Sequence, residues 1–307
     1  MEKKEGGMRM EWREHCMLCP RECGANRGAG ERGVCGESAA VRVGRAALHM
    51  WEEPCISGTR GSGAVFFAGC SLRCRFCQNY ALSRSGAGRE VTTQRLADIF
   101  LELEDQGAHN INLVTPTHFV PPILAALERA RAAGLRIPIV YNTSGYEKVE
   151  TLAMLDGYVD IYLPDFKYHD NEYAVRFSGA PDYFERATAA LDEMVRQIGT
   201  SEIGEDGLMR RGVIVRHLLL PGMLYDTRCV ILHLHERYGD NIYISLMNQY
   251  TPTEQVKGDS SLYRTLSEGQ YARAISYAMD IGVTRGFVQE EGTVSESFIP
   301  LFDGTGV

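Results

Sequence analysis

From Gly63 onward the chain repeats one pattern six times, a short apolar run followed by a helix-length amphipathic segment. "AVFFA" (Ala64–Ala68) precedes a stretch in which Leu96, Ile99, Phe100 and Leu103 share one helical face, with Thr92 or Thr93 as a cap. "NINLV" precedes "PPILAALERARAAG", which has Pro in its first turn and Gly134 at its end. "IPIVYN" leads into a helix near Glu147–Leu155, "VDIYLPD" into helical segments to about Ile198, and "VIVRHLLLP" into a helix near Thr227–Tyr238. "NIYISLM" leads into a helix opened by a Ser267/Gln270 capping box. Runs this continuously apolar are buried on both faces, as in a parallel sheet covered by helices. The fold class is therefore α/β. Periodicity alone leaves a doubly wound open sheet and a full or partial barrel both open.

The residues ahead of this series read differently. They are rich in Gly, Arg and Cys, with weak periodicity, as in a small module organised by ligands rather than by a core. "EEPCISGTRGSG" (Glu52–Gly63) reads as a linker or flexible entry loop. The expected organisation is a cysteine-rich module with its linker over 1–60, a barrel over 61–290 and a tail over 291–307.

Redox state decides how the nine cysteines are read. The opening "MEKKEGGMRMEWREHC" lacks the apolar core of a signal peptide, and no apolar run is long enough to span a bilayer, so a cytoplasmic location is expected. In a reducing compartment, cysteines at ligand-like spacing mark metal sites or catalytic thiols. Lys and Arg number 32 against 40 Asp and Glu, a formal charge of −8, which argues against a nucleic-acid or anionic-membrane partner.

"GCSLRCRFCQNY" (Gly69–Tyr80) places Cys70, Cys74 and Cys77 in a loop directly after the first strand of the series. A four-iron cubane needs an external ligand on each iron, usually a thiolate, so three cysteines leave one iron open. An open position separates a reactive metal site from a closed structural one. The alternative is a zinc knuckle completed by a distant residue. The loop lies at the C-terminal end of the sheet, where βα folds place their chemistry.

This spacing, with the aromatic Phe76 before the last cysteine, resembles the cluster motif of the radical S-adenosylmethionine (SAM) enzymes, nearest to the pyruvate formate-lyase-activating-enzyme group. The resemblance spans roughly 63–282 and implies a partial TIM-like (β/α)6 barrel. It implies a [4Fe–4S] cluster on Cys70, Cys74 and Cys77, with SAM chelating the open iron, and cleavage of SAM to a 5′-deoxyadenosyl radical that abstracts hydrogen. A glycyl-radical enzyme as substrate and a flavodoxin or ferredoxin as electron donor are implied in the same way. Radical modification of a small molecule, peptide or RNA is the alternative within this chemistry, and a non-catalytic zinc-binding interaction module the alternative outside it.

The resemblance also assigns strand ends. The family's Gly-Gly-Glu-type motif, which receives the SAM amino group, is absent; Thr115 and Thr117 of "TPTHF" occupy its position. "NTSG" puts Asn142 and Ser144 beside SAM, with Asn where the activating enzymes have Asp. In "PDFK", Asp165 is implied at the ribose or an ion and Lys167 at the SAM carboxylate. Arg216 and His217 point to opposite faces of their strand, and the resemblance favours His217 near the methionyl group. Gln78 and Asn79 cap the next segment or touch adenine, and Met247, Gln249 and Tyr250 read as packing.

"CMLCPRECGANRGAGERGVCG" brings Cys16, Cys19, Cys23 and Cys35 within twenty residues. Four thiolates close a zinc site or an iron–sulfur cluster without outside help, so a second metal centre of either kind is expected. Cys55 reads as a spare ligand, Cys229 as a core residue, and His233 and His235 as surface residues.

Overall fold

The computed structural model describes residues 11–289 and 300–307. Its strands are β1 (Val41–His49), β2 (Ser62–Phe67), β3 (Arg89–Val91), β4 (Ile111–Val114), β5 (Ile139–Thr143), β6 (Ile161–Pro164), β7 (Glu202–Ile203), β8 (Met209–Leu218), β9 (Tyr243–Met247) and β10 (Gly286–Val288). They form one sheet in the order β10-β9-β8-β6-β5-β4-β2-β1-β3, with β7 paired to β8. From β2 through β4, β5, β6, β8 and β9 to β10 every pairing is parallel, while β1 runs antiparallel beside β2. This is the partial TIM-like barrel, with the cysteine-rich segment on it. The seventh parallel strand, β10, has three residues, too few to show a pattern in the sequence.

The helices are α1 (Pro54–Ser57), α2 (Tyr80–Ser83), α3 (Thr93–Asp105), α4 (Val120–Ala133), α5 (Val149–Ala153), α6 (Asn171–Ser178), α7 (Tyr183–Ile198), α8 (Leu224–Tyr238) and α9 (Glu268–Asp280). Thr92 Oγ1 accepts the Arg95 N–H at 3.1 Å and starts α3, which buries Leu96, Ala97, Ile99, Phe100 and Leu103. Ser267 caps α9 through the Gln270 N–H at 3.3 Å. No described helix is long and apolar enough to cross a membrane.

Strand parity separates two cores. Val65, Phe67, Tyr141, Val213 and Val215 pack outward against the helices, whereas Val140, Ile161, Leu163 and Ile214 pack inside the barrel. Fully apolar strands satisfy both faces at once, which is why alternation was absent from the sequence.

Three expectations are corrected. The Glu52–Gly63 stretch is not a flexible linker: Pro54–Ser57 is helical, and Ser62 and Gly63 already belong to β2. Cys55 is no spare ligand, because it packs with Ile56, Val140 and Ile161 inside the barrel, away from the other thiols. His233 is half-buried rather than a surface residue, ringed by Phe166, Phe184 and Tyr238, with Thr188 at 3.1 Å.

Residues 291–299 of the expected tail lie outside the described residues. Its end is anchored on β1: Gly304 N–H donates to Gly44 O (3.0 Å) and Ala46 N–H to Thr305 O (2.9 Å), while Phe302 packs edge-on to Phe66.

Candidate active site

The chain leaves β2 through Gly69, whose φ of +79° an L-residue rarely adopts. A Cβ there would meet Cys35 O at 2.7 Å and Glu37 Cγ at 2.5 Å, so glycine also permits the amino-terminal segment to approach. Cys70, Cys74 and Cys77 then line one cavity of about 430 Å³ at the C-terminal end of the strands. A larger depression of about 610 Å³, among Arg60, His109, Arg136 and Arg210, contains none of these thiols.

The loop is held from several sides. Ser178 Oγ donates to Cys74 Sγ (3.0 Å) and is itself in contact with Tyr168 Oη (2.7 Å); Ser83 Oγ lies 3.4 Å from Cys77 Sγ. Gln78 Nε2 donates to Gln249 O at 2.6 Å, spanning from the loop to the end of β9. Phe76 is buried and packs against Tyr250 at 6.2 Å.

Burial, and then Cys74 and Cys77, push the Cys70 thiol well up; burial does the same to Cys74, opposed by Lys167. Thiols this reluctant to ionise side by side lose their protons when a metal cation takes the charge. The donor set therefore suits an iron–sulfur cluster. Among the described residues no three His, Cys, Asp or Glu side chains already surround a common point at ligating distance.

The β5 and β6 ends supply the opposite wall: Asn142, Thr143, Ser144, Asp165 and Lys167 line the cavity, with Thr115 just past the end of β4. Gly145, at φ +77°, lets the β5 end pass the β6 end, since a Cβ would fall 2.2 Å from Asp165 O. Thr115 is a non-glycine residue at φ +59°, a strained conformation of the kind that gathers at functional sites. Lys167 Nζ donates to Asp165 Oδ2 at 2.5 Å. Burial works against the ammonium, but Asp165 and Cys74 outweigh it and hold the Lys167 pKa above its ordinary value.

Two of the expected residues are placed elsewhere. Thr117 is buried behind the wall and donates to Glu147 Oε1 at 2.5 Å. His217 shares the parity of Val213 and Val215 and therefore faces the helices. One ring nitrogen is 2.7 Å from Phe166 O and the other 3.0 Å from Thr227 Oγ1. Arg216, of opposite parity, enters the cavity instead. Tyr250 is buried with its hydroxyl on Leu262 O, whereas Gln78, Asn79, Met247 and Gln249 line the cavity.

The amino-terminal cysteines sit on the same end of the barrel. Cys16, Cys19 and Cys35 are buried and Cys23 is exposed. A Cβ on Gly33 would stand 3.1 Å from Cys23 Sγ and 3.5 Å from Cys35 Sγ, so these thiols converge on one glycine. Burial pushes Cys19 up to about 12, with Cys35 and Cys16 adding to the effect. Arg21 Nε reaches Ser71 O (2.8 Å), Arg27 Nη1 reaches His118 O (2.5 Å), and Thr151 Oγ1 donates to Leu18 O (2.8 Å).

A family model, that of the radical SAM superfamily, matches residues 64–230. The chain belongs to the radical SAM superfamily. The family brings a [4Fe–4S] cluster and SAM, and the three-cysteine loop of this radical SAM protein lies inside the match. An uncharacterized protein of Methanocaldococcus jannaschii, MJ0674, is 28% identical over 274 residues, 86% of this chain and 74% of that one. Among solved structures, SuiB of Streptococcus suis superposes with a TM-score of 0.51 at 14% identity, over 76% of this chain and 49% of SuiB. SuiB has also been solved with the precursor peptide SuiA. The FeFe-hydrogenase maturase HydG of Carboxydothermus hydrogenoformans gives 0.51 at 13% identity, over 77% and 55% of the two chains. Methylornithine synthase (PylB) gives 0.51 at 14%, over 77% and 68%. At such identities the likeness is one of fold. The radical SAM chain spans about half the length of SuiB and HydG.

Proposed function

We propose that this protein holds a [4Fe–4S] cluster on Cys70, Cys74 and Cys77 and uses it on SAM to take hydrogen from a peptide segment of a partner protein, a glycyl-radical enzyme being the favoured partner. The observation behind this reading is that the three thiols open into the same cavity that Asn142, Ser144, Asp165 and Lys167 line. Cys70, Cys74 and Cys77 would hold the cluster, which would supply the electron for reductive cleavage of SAM. The chain supplies placement. Lys167 presents a charged donor to the SAM carboxylate, Asp165 an acceptor to the ribose, and Phe76 shields the thiol end from water.

The glycyl-radical subtype is favoured by the strand ends "NTSG" and "PDFK", which are similar to the activating enzymes. SuiB with SuiA is a precedent of the same fold with a peptide. The four amino-terminal cysteines are proposed to hold the second metal centre, zinc or iron–sulfur, and a flavodoxin or ferredoxin to deliver the electron, all in the cytoplasm. The test is anaerobic reconstitution with iron and sulfide, followed by reductive SAM cleavage. 5′-Deoxyadenosine is expected from the native protein and not from Cys74→Ala; robust cleavage by Cys74→Ala overturns the assignment. A SAM-dependent glycyl radical on a co-purified partner, seen by electron paramagnetic resonance, tests the subtype.

A further inference from the structure

Besides Asp165 and Lys167, the cavity presents Glu52, Glu53 and Arg216, none of which has a part in the proposed holding of SAM. All three are deeply buried: Arg216 is 8% exposed, Glu53 7%, and the Glu52 side chain 7%. Arg216 grips Glu53 bidentately, Nε to Oε1 at 2.9 Å and Nη2 to Oε2 at 2.5 Å, and Nη2 also donates to Glu52 Oε2. One guanidinium thus answers two carboxylates.

The surroundings do not make up the difference. Burial disfavours the Glu53 charge, but Arg216 overcomes this and holds its carboxyl below the usual range, so Glu53 is the ionised partner of Arg216. His49 lines the same wall, and burial lowers its pKa, which keeps the imidazole neutral at pH 7. Lys167 is engaged by Asp165. Three carboxylates therefore face two cations in one cavity. An uncompensated buried charge is costly.

A separate observation points the same way. Asn112 Nδ2 donates to Glu52 Oε1 at 2.8 Å, and because a carboxylate only accepts, the amide orientation is fixed. Its Oδ1 is then left fully buried without a hydrogen-bond partner. Beside the unbalanced carboxylate stands an acceptor that lacks a donor.

This corner is built from three strands: Glu52 reaches Arg216 of β8, whose backbone bridges to Asp165, and Asn112 of β4.

We infer that Glu52, with Asn112 beside it, is the specificity-determining anchor for a cationic nitrogen group, guanidinium or ammonium, on the molecule that gives up hydrogen. The inference rests on the reading of this cavity as a radical SAM site. An arginine or lysine side chain of a peptide and a free alkylamine or alkylguanidine share this chemistry.

The test is anaerobic isothermal titration of the reconstituted full chain, saturated with SAM, with two isosteric pairs. The pairs are n-butylguanidinium against n-butylurea, and N-acetylarginine amide against N-acetylcitrulline amide. At least tenfold preference for each guanidinium is expected. Glu52→Gln should reduce the ratio to within about twofold, while Glu52→Asp, which keeps the charge, should retain part of it. Glu53 still pairs with Arg216 in both variants. Tighter binding of N-acetylarginine amide than of n-butylguanidinium assigns the group to a peptide, and the reverse order to a small molecule. Equal binding within the pairs, no binding of either guanidinium at millimolar concentration, or a ratio unmoved by Glu52→Gln overturns the inference. 5′-Deoxyadenosine formation is read separately. Cleavage without charge discrimination overturns the cation anchor alone; discrimination without cleavage supports the anchor and overturns the radical SAM reading of the cavity.

Discussion

The backbone N–H of Cys70 donates to the carbonyl oxygen of Cys35 at 3.2 Å. The first residue of the three-cysteine loop is thereby tied to the last of the four amino-terminal cysteines. The two thiol clusters share a backbone link, and Gly69 is the residue that lets it form.

Gly69→Ala should therefore do more than perturb a turn. It would force an L-residue to φ +79° and drive a Cβ to 2.7 Å from Cys35 O. A loss of about 2–4 kcal/mol is expected, from conformational strain and overpacking together. Urea unfolding gives the number, and iron content of the reconstituted variant should fall with it. Wild-type stability would show that the two segments do not pack this closely.

Stability should respond to pH through three buried groups. Burial pushes Glu147 up to about 7 from 4.5, so the folded state binds its proton more tightly and stability falls as pH rises through that interval. His118 and His217 are pushed down by burial, to about 3 and about 4. Their unfolded forms take up protons first, so their contribution is lost as pH falls below about 6.5. Glu147→Gln removes only the first effect. Relative to wild type it should gain about 2–3 kcal/mol between pH 5 and pH 8. A pH-independent difference between the two proteins would contradict this.

Lys167 and Thr117 should separate cleanly. Lys167 lines the cavity, and Lys167→Ala is expected to weaken SAM binding by about 1.5–3 kcal/mol, the range for a hydrogen bond to a charged group. Thr117 sits behind the wall on Glu147. Thr117→Ala should lower unfolding stability by about 1 kcal/mol and leave SAM affinity nearly unchanged. Isothermal titration on anaerobic, reconstituted protein ranks the two; if Thr117→Ala is the more damaging to SAM binding, the wall has been assigned to the wrong strand.

The amino-terminal centre is best tested by substitution rather than truncation. Removing residues 1–50 would also strip β1 from the sheet. Cys16→Ser with Cys35→Ser should delete one metal centre while the cluster on Cys70, Cys74 and Cys77 persists. Metal analysis showing no loss would mean that these thiols hold no separate site.

The parallel strands were legible because burial on both faces writes itself as an unbroken apolar run. β1 was not: it is partly exposed, and a register shift between Val43 and Arg45, around Gly44, breaks its alternation. The thiols were legible from spacing alone, and Asn142, Ser144, Asp165 and Lys167 from their place after apolar strands. Period two told that Arg216 and His217 face opposite ways but not which way, since that depends on where the helices pack. Glu52 and Glu53 were invisible for another reason. Two adjacent acids beside a proline read as solvated loop, and their partner Arg216 lies far along the chain.

The anchoring of the 300–307 segment on β1 makes the end of the chain part of the cavity. Arg45 donates to the Leu301 carbonyl across 256 positions of sequence. Phe302 packs edge-on to Phe66, and Phe66 lines the cavity. One flank of the thiol cavity is therefore held together by side chains from opposite ends of the sequence.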